Sequence, residues 1–428
     1  MYPILAIPRK IIYYPDAAAI IRECGESQIL KQINFSAADI FSLCDGKNSV
    51  EDIVFKLSYR YKEDVVLVQK FVEDFLNYSK KVGDVTYIDR KSEVEVKCLG
   101  SKKYWIPITV SLELTYKCPL FCEHCYRECS LKRKEVISLE LVKKIAQEMS
   151  NLGILYLQIT GGDPLYHPDF EKIIEIFVSK GIVITILTSG YYKNDSIFDF
   201  FEKVKGNIAG VQISIDGLKE THNEIRGKSN SYDKSILFIK KLVSMDYNID
   251  VATTIIEQEK AEIFLLSEKL KKLGVKRHRL SILFDAGRSV QNGYSSNKNK
   301  KLIVEEWLQD LNNKLGDNKF LVQLEEDHHS MANSHCGAGY KLIRIDPSGQ
   351  IHPCLMIDKP MSSLNNGTIE CYSKEHSFKF KSVEMPSSNK CANCTLLNNC
   401  KGCIAEGLIQ RKNVKECYWY ESEKKKLT

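Results

Sequence analysis

Residues Ser111 to Tyr126 read SLELTYKCPLFCEHCY, a strand pattern that ends at Tyr116 and hands Cys118, Cys122 and Cys125 to a loop. The spacing Cys118-x3-Cys122-x2-Cys125 offers three thiolates to one metal centre. An iron–sulfur cube takes four cysteines, so a cube held by these three would keep one iron open to a small molecule. Zinc, with His124 as a fourth ligand, answers the same spacing, because zinc accepts mixed thiolate and imidazole sets. A disulfide framework suits the chain less well, although fifteen cysteines in 428 residues is a high count. The opening residues MYPILAIPRKIIYYPD hold no apolar run long enough for a signal peptide. No run of ~20 apolar residues that would span a bilayer occurs either. The expectation is a soluble, cytoplasmic protein in a reducing compartment, with no membrane partner and with metal-binding cysteines.

Outward from the quoted stretch, strand and helix patterns alternate. Strands are expected at 107–115, 155–160, 183–188, 210–215, 250–255 and 279–283, with helices at 138–151, 169–180, 195–203, 232–245 and 262–273. This alternation predicts a parallel α/β sheet, a partial (β/α)6 barrel over residues 107–318. Ligand groups of such a fold gather at the carboxyl ends of the strands. Polar motifs fall there: Gly161-Gly162-Asp163 after the second strand, Thr188-Ser189-Gly190 after the third, and Ser214-Ile215-Asp216 after the fourth, with Arg226 beyond.

The cysteine spacing, with Tyr126 directly after Cys125, resembles the signature of the radical S-adenosylmethionine (radical SAM) enzymes. The resemblance implies that Cys118, Cys122 and Cys125 hold a catalytic [4Fe-4S] cluster. That cluster would chelate S-adenosylmethionine, accept one electron from a flavodoxin- or ferredoxin-like donor, and cleave the cofactor to methionine and a 5′-deoxyadenosyl radical. Gly161-Gly162-Asp163 resembles the family's Gly-Gly-Glu motif, one methylene shorter at the acid. By that match Asp163 would accept from the cofactor's ammonium group. Ser189, Ser214 and Asp216 match positions near the ribose and methionine moieties, Arg226 could pair with the cofactor carboxylate, and Tyr126 would lie against the adenine.

Residues 1–94 carry two strand-like runs, Ile4 to Ile7 and Ile11 to Tyr14, followed by three helical patterns. Ser49 caps the second, whose Ile53, Val54, Leu57 and Tyr61 recur at helical spacing; the third sets Val68, Phe71, Val72 and Phe75 on one face. A hairpin with three helices is winged-helix-like, and suits DNA binding or simple packing as well as peptide capture. The segments Asn34–Phe41, Asp45-Gly46 and Val50–Ile53 resemble the small peptide-binding domain of pyrroloquinoline quinone biosynthesis. That resemblance implies capture of a precursor peptide's leader as an added strand beside the third helix. Residues 95–106 are expected as a linker.

Residues 319–428 carry Cys336-x12-Gly349-x4-Cys354, then Cys391-x2-Cys394-x5-Cys400-x2-Cys403, then Cys417. Two zinc ribbons would use similar ligands. The order of intervals resembles the cysteine-rich SPASM domain, which holds two auxiliary [4Fe-4S] clusters. The resemblance implies Cys391, Cys394, Cys400 and Cys417 for the outer cluster and Cys336, Cys354 and Cys403 for the inner one. Seven thiolates fall one short of eight. Either the inner cluster has an open iron, which could receive a thiolate of the substrate, or an outlying residue fills it. Cys24, Cys44, Cys98, Cys129 and Cys371 stay outside the motifs. Asp346 to Gly349 suits a hairpin turn that would bring Cys336 and Cys354 together.

The net charge of +6 is small for this length and the basic residues are scattered, which speaks against nucleic acid. The Glu423-Lys424-Lys425-Lys426 run is expected as a solvated tail. Together the segments resemble a peptide maturase of the sactipeptide or ranthipeptide type, with three [4Fe-4S] clusters, forming thioether crosslinks in a ribosomally made precursor. A carbon–carbon crosslinking maturase and an anaerobic sulfatase-maturating-type, formylglycine-forming enzyme share much of this plan.

Overall fold

The computed structural model describes residues 1–24, 27–294, 300–324 and 335–427. The other residues, which fall at the N-terminal hairpin tip and inside the expected barrel and cysteine-rich domains, lie outside that description, as do the side chains of Cys24, Ser27 and Lys300. Two compact units divide the chain, Met1–Ile106 with Glu148–Leu155 and Pro107–Gln147 with Tyr156–Thr428.

The first unit contains β1 (Tyr2–Leu5), β2 (Lys10–Tyr13), β3 (Ala18–Cys24), β4 (Ser27–Ile33), α1 (Phe35–Ser42), α2 (Val50–Tyr61), α3 (Val65–Lys81), β5 (Val85–Ile88) and β6 (Lys97–Gly100). The expected hairpin of the first two runs does not form. β1 pairs with β5, and β2 lies between β3 and β6. The hairpin is β3–β4, in register from Ala18 opposite Ile33 to Cys24 opposite Ser27. Its first strand concealed itself because Ala18, Ala19, Ile20 and Ile21 are all buried, and a strand buried on both faces shows no period of two. β6 lies inside the expected linker and pairs in parallel with β2.

The helices follow their caps. Asn34 accepts from the Ala37 N–H at 2.8 Å, Asp64 caps α3, and Ser49 and Asp52 cap each other reciprocally at 3.1 and 2.8 Å. Ile40, Phe41, Ile53, Val54, Leu57, Val72 and Leu76 pack into one core with β2 and β3. Phe71, expected on the same inward face of α3, is 64% exposed. The order β4-β3-β2-β6 leaves β4 on an edge.

The second unit is built on one long sheet. In chain order come β7 (Thr109–Glu113), α4 (Leu139–Leu152), β8 (Tyr156–Thr160), α5 (Phe170–Val178), β9 (Val183–Thr188), α6 (Ser196–Val204), β10 (Ile208–Ser214), α7 (Lys219–Arg226), α8 (Ser231–Ser244), β11 (Ile249–Ile255), α9 (Lys260–Lys272) and β12 (Arg277–Ile282). Then follow α10 (Arg288–Gln291), α11 (Lys300–Leu315), β13 (Leu321–Leu324), β14 (Leu342–Ile345), β15 (Gln350–His352), β16 (Ser362–Ser363), α12 (Ile369–Lys381), α13 (Ser388–Cys391), α14 (Leu397–Cys400), α15 (Ile404–Gln410) and α16 (Tyr418–Leu427).

The six expected strands are β7 to β12, all parallel, but the sheet is longer at both ends. Its order is β13-β12-β11-β10-β9-β8-β7-β14-β15-β16. β13 adds a parallel strand beside β12, and β14 runs parallel to β7. The cysteine-rich segment therefore continues the barrel sheet through β14. The β14–β15 hairpin turns as expected, with Gly349 at φ +84° and its N–H on the Asp346 carbonyl at 3.0 Å.

The expected solvated tail is instead helix α16. Its Glu423 side chain is 2% exposed and pairs with Lys390 at 2.5 Å and Lys426 at 2.7 Å. No helix among the described residues is long and apolar enough to cross a membrane.

Candidate active site

β7 delivers the chain to the cysteine loop, and the loop is held by its neighbours' backbones. The Gly162 N–H donates to the Thr115 carbonyl at 2.6 Å and the Asp163 N–H to the Lys117 carbonyl at 3.0 Å. A Cβ at Gly161 would stand 2.4 Å from the Thr115 oxygen, and one at Gly162 2.4 Å from the Lys117 oxygen. Glycine is required here because the end of β8 lies against the cysteine loop. Gly162→Ala is accordingly expected to displace the loop and lower iron bound at its cysteines, read as iron per protein against Gly181→Ala, which bears the strain of φ +69° but whose Cβ meets nothing within 4 Å.

Arg288, at the start of α10, grips the loop from the other side. Its Nε donates to the Cys122 carbonyl at 2.7 Å and a terminal nitrogen to the Cys129 carbonyl at 3.0 Å, while its guanidinium lies 4.1 Å from the Phe121 ring centre. Nothing local in the sequence marks it, since its partners lie about 160 residues away.

Cys118 and Cys122 are buried and pack with Cys125 and Cys129. Burial raises the Cys118 thiol, as does the neighbouring Cys122. Burial also lifts Cys122, to about 11, against the pull of Arg226. Cys125 moves the other way, to about 6, chiefly because the Cys129 side chain hydrogen-bonds to it; the Cys129 N–H lies 3.4 Å from its sulfur. Cys129, outside every motif, thus sits against the third cysteine of the triad.

The polar residues expected around a cofactor fall into two buried clusters. Asp163 is fully buried, and its carboxylate accepts from Thr188 Oγ1 at 2.9 and 3.1 Å, from the Ser189 N–H at 3.0 Å, from Ser189 Oγ, and from the Leu165 N–H at 3.1 Å. It fastens the end of β8 to the end of β9. Burial raises its carboxyl, against those donors. Asp216 is also fully buried, with Arg226 Nε at 2.6 Å and His124 Nε2 at 3.7 Å. Arg226 also approaches the Cys122 sulfur at 3.6 Å. Burial holds His124 down, to about 4, so it is neutral near pH 7. Ser214 ends β10 half-buried, and the half-buried Tyr126 ring lies 5.0 Å from the Arg127 guanidinium.

A charge cluster that no motif announced joins the cysteine loop to β14. Glu113 accepts from Arg127 Nε at 2.9 Å, from Tyr116 Oη at 2.9 Å and from Arg344 at 3.1 Å. Asp358 bridges the same two arginines at 3.1 and 3.0 Å. Arg127 also donates to the Leu355 carbonyl. The sequence signal was present at Glu113, a charge inside the buried run Val110 to Leu114; its partners are too distant in sequence to be read.

The seven C-terminal cysteines gather as four and three. Cys391, Cys394, Cys400 and Cys417 line one cavity with Trp419 and Leu397. Burial lifts Cys400 to about 12, and Glu406 and the other three cysteines push the same way. Cys336, Cys354 and Cys403 form the other set: burial raises all three, to about 12 at Cys354, and Cys336 adds to the rise at both Cys354 and Cys403. The phenol of Tyr372 is buried near Cys354, whereas Cys371, its neighbour on α12, is exposed and stands outside both sets. Cys44 is buried in the first unit's core and Cys98 is exposed.

All fourteen described cysteines are free thiols. Among the described residues no three or more His, Cys, Asp or Glu converge tightly enough for a single metal ion. The donor set itself, thiols packed together at Cys118, Cys122 and Cys125 and four lining one cavity, is of the kind an iron–sulfur cube takes.

The profile of the Radical SAM superfamily matches residues 112–264, from inside β7 to inside α9. Residues 112–264 are a radical SAM domain. The chain is similar to the antilisterial bacteriocin subtilosin biosynthesis protein AlbA of Bacillus subtilis, 27% identical over 408 residues, which cover 91% of this chain and 88% of that one. Mycofactocin maturase MftC of Mycobacterium tuberculosis is 24% identical over 311 residues, covering 70% of this chain and 78% of MftC. The fold is that of Streptococcus suis SuiB, solved bound to its precursor peptide SuiA, with a TM-score of 0.67, 14% identity, and coverage of 97% and 98% of the two chains.

Proposed function

We propose that this protein matures a ribosomally made precursor peptide by joining Cys sulfur to carbon in thioether crosslinks. The reading is carried by the division of its cysteines into sets of three, four and three. Cys118, Cys122 and Cys125 would hold the catalytic [4Fe-4S] cluster, Cys391, Cys394, Cys400 and Cys417 the outer auxiliary cluster, and Cys336, Cys354 and Cys403 the inner one. When bound, a reduced cluster and S-adenosylmethionine supply a carbon-centred, one-electron oxidant.

The chain's own residues orient and shield that chemistry. Gly161 and Gly162 let the β8 end press the cysteine loop into place, and Asp163 holds Thr188 and Ser189 at the neighbouring strand end. Ser189, Ser214 and Tyr126 line the carboxyl ends of the strands where the ribose, methionine and adenine would lie. Asp216 holds Arg226 beside Cys122, so a cation stands next to one sulfur of the triad, where it could meet the cofactor's carboxylate. Burial of Cys118 and Cys122, each 7% exposed, keeps water from the site.

The inner set lacks a fourth thiol, and a cysteine of the substrate would take that place. The unpaired edge of β4, beside α3, would capture the leader as an added strand. A flavodoxin- or ferredoxin-like protein would supply the electron. Each sulfur-to-carbon bond removes one hydrogen from sulfur and one from carbon, a loss of ~2 Da per link. Mass spectrometry of the cognate peptide after reaction is expected to show that loss with the linked cysteines protected from alkylation. Links that leave every cysteine alkylatable would instead favour carbon–carbon crosslinking.

A further inference from the structure

Arg127 belongs to both thiol neighbourhoods at once. It stands two residues after Cys125, and its guanidinium donates to the carbonyl of Leu355, the residue after Cys354. The same guanidinium meets Glu113 at 2.9 Å and Asp358 at 3.1 Å, and Arg344 on β14 meets those carboxylates at 3.1 and 3.0 Å. The side chains of Arg127, Glu113 and Arg344 are 7%, 0% and 0% exposed, but that of Asp358 is 73% exposed. Two buried cations therefore face one buried carboxylate, and the compensating charge of Asp358 sits at the rim. Water and salt screen the rim charge far more than the buried ones, and Asp346, the next carboxylate acting on Glu113, is engaged by His352 at 3.2 Å, so the charge nearest the Leu355 carbonyl is the Arg127 cation.

We infer that Arg127 tunes the reduction potential of the centre held by Cys336, Cys354 and Cys403, and fixes that centre's position relative to Cys125. The inference rests on the proposed reading that those three thiolates hold an iron–sulfur cluster. Potentials of such clusters follow local charge and hydrogen bonding. A nearby cation favours the reduced, more negative form and raises the potential. Arg127 touches no substrate here; it is a positioning residue that acts through the Leu355 carbonyl and through its charge.

The test is an anaerobic redox titration followed by electron paramagnetic resonance, in full-length protein with Cys118, Cys122 and Cys125 changed to Ala. Only the C-terminal centres then contribute. Arg127→Met is expected to lower the inner potential by roughly tenfold in the reduced-to-oxidised ratio at fixed poise, about 59 mV for a one-electron couple. The outer signal should stay put. Arg127→Lys keeps the charge while losing the fork, and should retain most of the inner potential. Asp358→Asn, at the exposed rim, should move the inner potential upward at low ionic strength, where the rim charge is least screened; it also decides the matter if Arg127→Met does not fold. An inner potential unmoved in Arg127→Met, or unmoved or lowered in Asp358→Asn at low ionic strength, overturns the inference, as does an equal shift of both centres. A parent protein without a second cluster signal overturns the reading of the three-thiol set itself, and the inference with it.

Discussion

The Glu113→Gln protein unfolds well below the parent, with a loss of about 3–5 kcal/mol, the usual cost of removing one partner from a buried ion pair. Glu113 is the one fully buried carboxylate between Arg127 and Arg344, whose side chains are 7% and 0% exposed. A neutral amide there leaves two guanidinium groups facing only the exposed Asp358, and it cannot accept from both while donating to neither. Thermal unfolding of the cluster-free protein under reducing conditions measures the change. Arg344→Met in the Glu113→Gln background should recover part of it, because the double variant removes one charge of each sign. Equal midpoints for parent and Glu113→Gln would show that the cluster is not what joins β7, the cysteine loop and β14.

Cys122→Ala abolishes formation of 5′-deoxyadenosine from S-adenosylmethionine, whereas Cys129→Ala retains it. The two thiols lie in the same buried patch, yet only the first belongs to the triad. Cys122 also receives Arg226, at 3.6 Å from its sulfur, so on the proposed reading its loss removes both a cluster ligand and the partner of that cation. If the three proposed cubes are present, iron content should fall by about a third in Cys122→Ala and stay level in Cys129→Ala. The expected consequence of Cys129→Ala is milder: its side-chain hydrogen bond is the leading reason Cys125 is held near 6. Deoxyadenosine measured by chromatography distinguishes the two. Loss of product in both variants to the same degree would make Cys129 part of the ligand set.

Elements whose cause is local were readable in the sequence. The reciprocal cap of Ser49 and Asp52 started α2 where the pattern placed it, and the glycine at 349 turned the β14–β15 hairpin. β9 covers Val183–Thr188 as expected, because its flanking turns bound a short apolar run. What stayed hidden depends on partners far along the chain. β3 reads as a plain apolar run because both faces are covered, and β13 and β14 extend the sheet through short strands that only pairing identifies.

The candidate site divides the same way. Cysteine intervals announced the triad and the seven C-terminal cysteines, while their division into four and three was taken from a resemblance; Cys391, Cys394, Cys400 and Cys417 line one cavity, and Cys336, Cys354 and Cys403 act on one another. The roles of Asp163 and Arg226 were taken from a resemblance, while their contacts lie within the protein: Asp163 on Thr188 and Ser189, Arg226 on Asp216 and Cys122. Arg288 had no signature, since its partners lie 159 and 166 positions away; Glu113 showed only as a charge in a buried run, because its partner Arg344 lies 231 positions away.

The most direct measurement follows one hydrogen. The reconstituted protein is given S-adenosylmethionine, a one-electron reductant and the cognate precursor peptide, deuterated at the carbons of its core. Deuterium should appear in 5′-deoxyadenosine as the labelled peptide loses ~3 Da per link, one hydrogen from sulfur and one deuterium from carbon, and neither change should occur when the peptide lacks its leader. Peptide modified without deuterium transfer, or deoxyadenosine formed while the bound peptide stays unchanged, would contradict a radical that this protein spends on a peptide carbon.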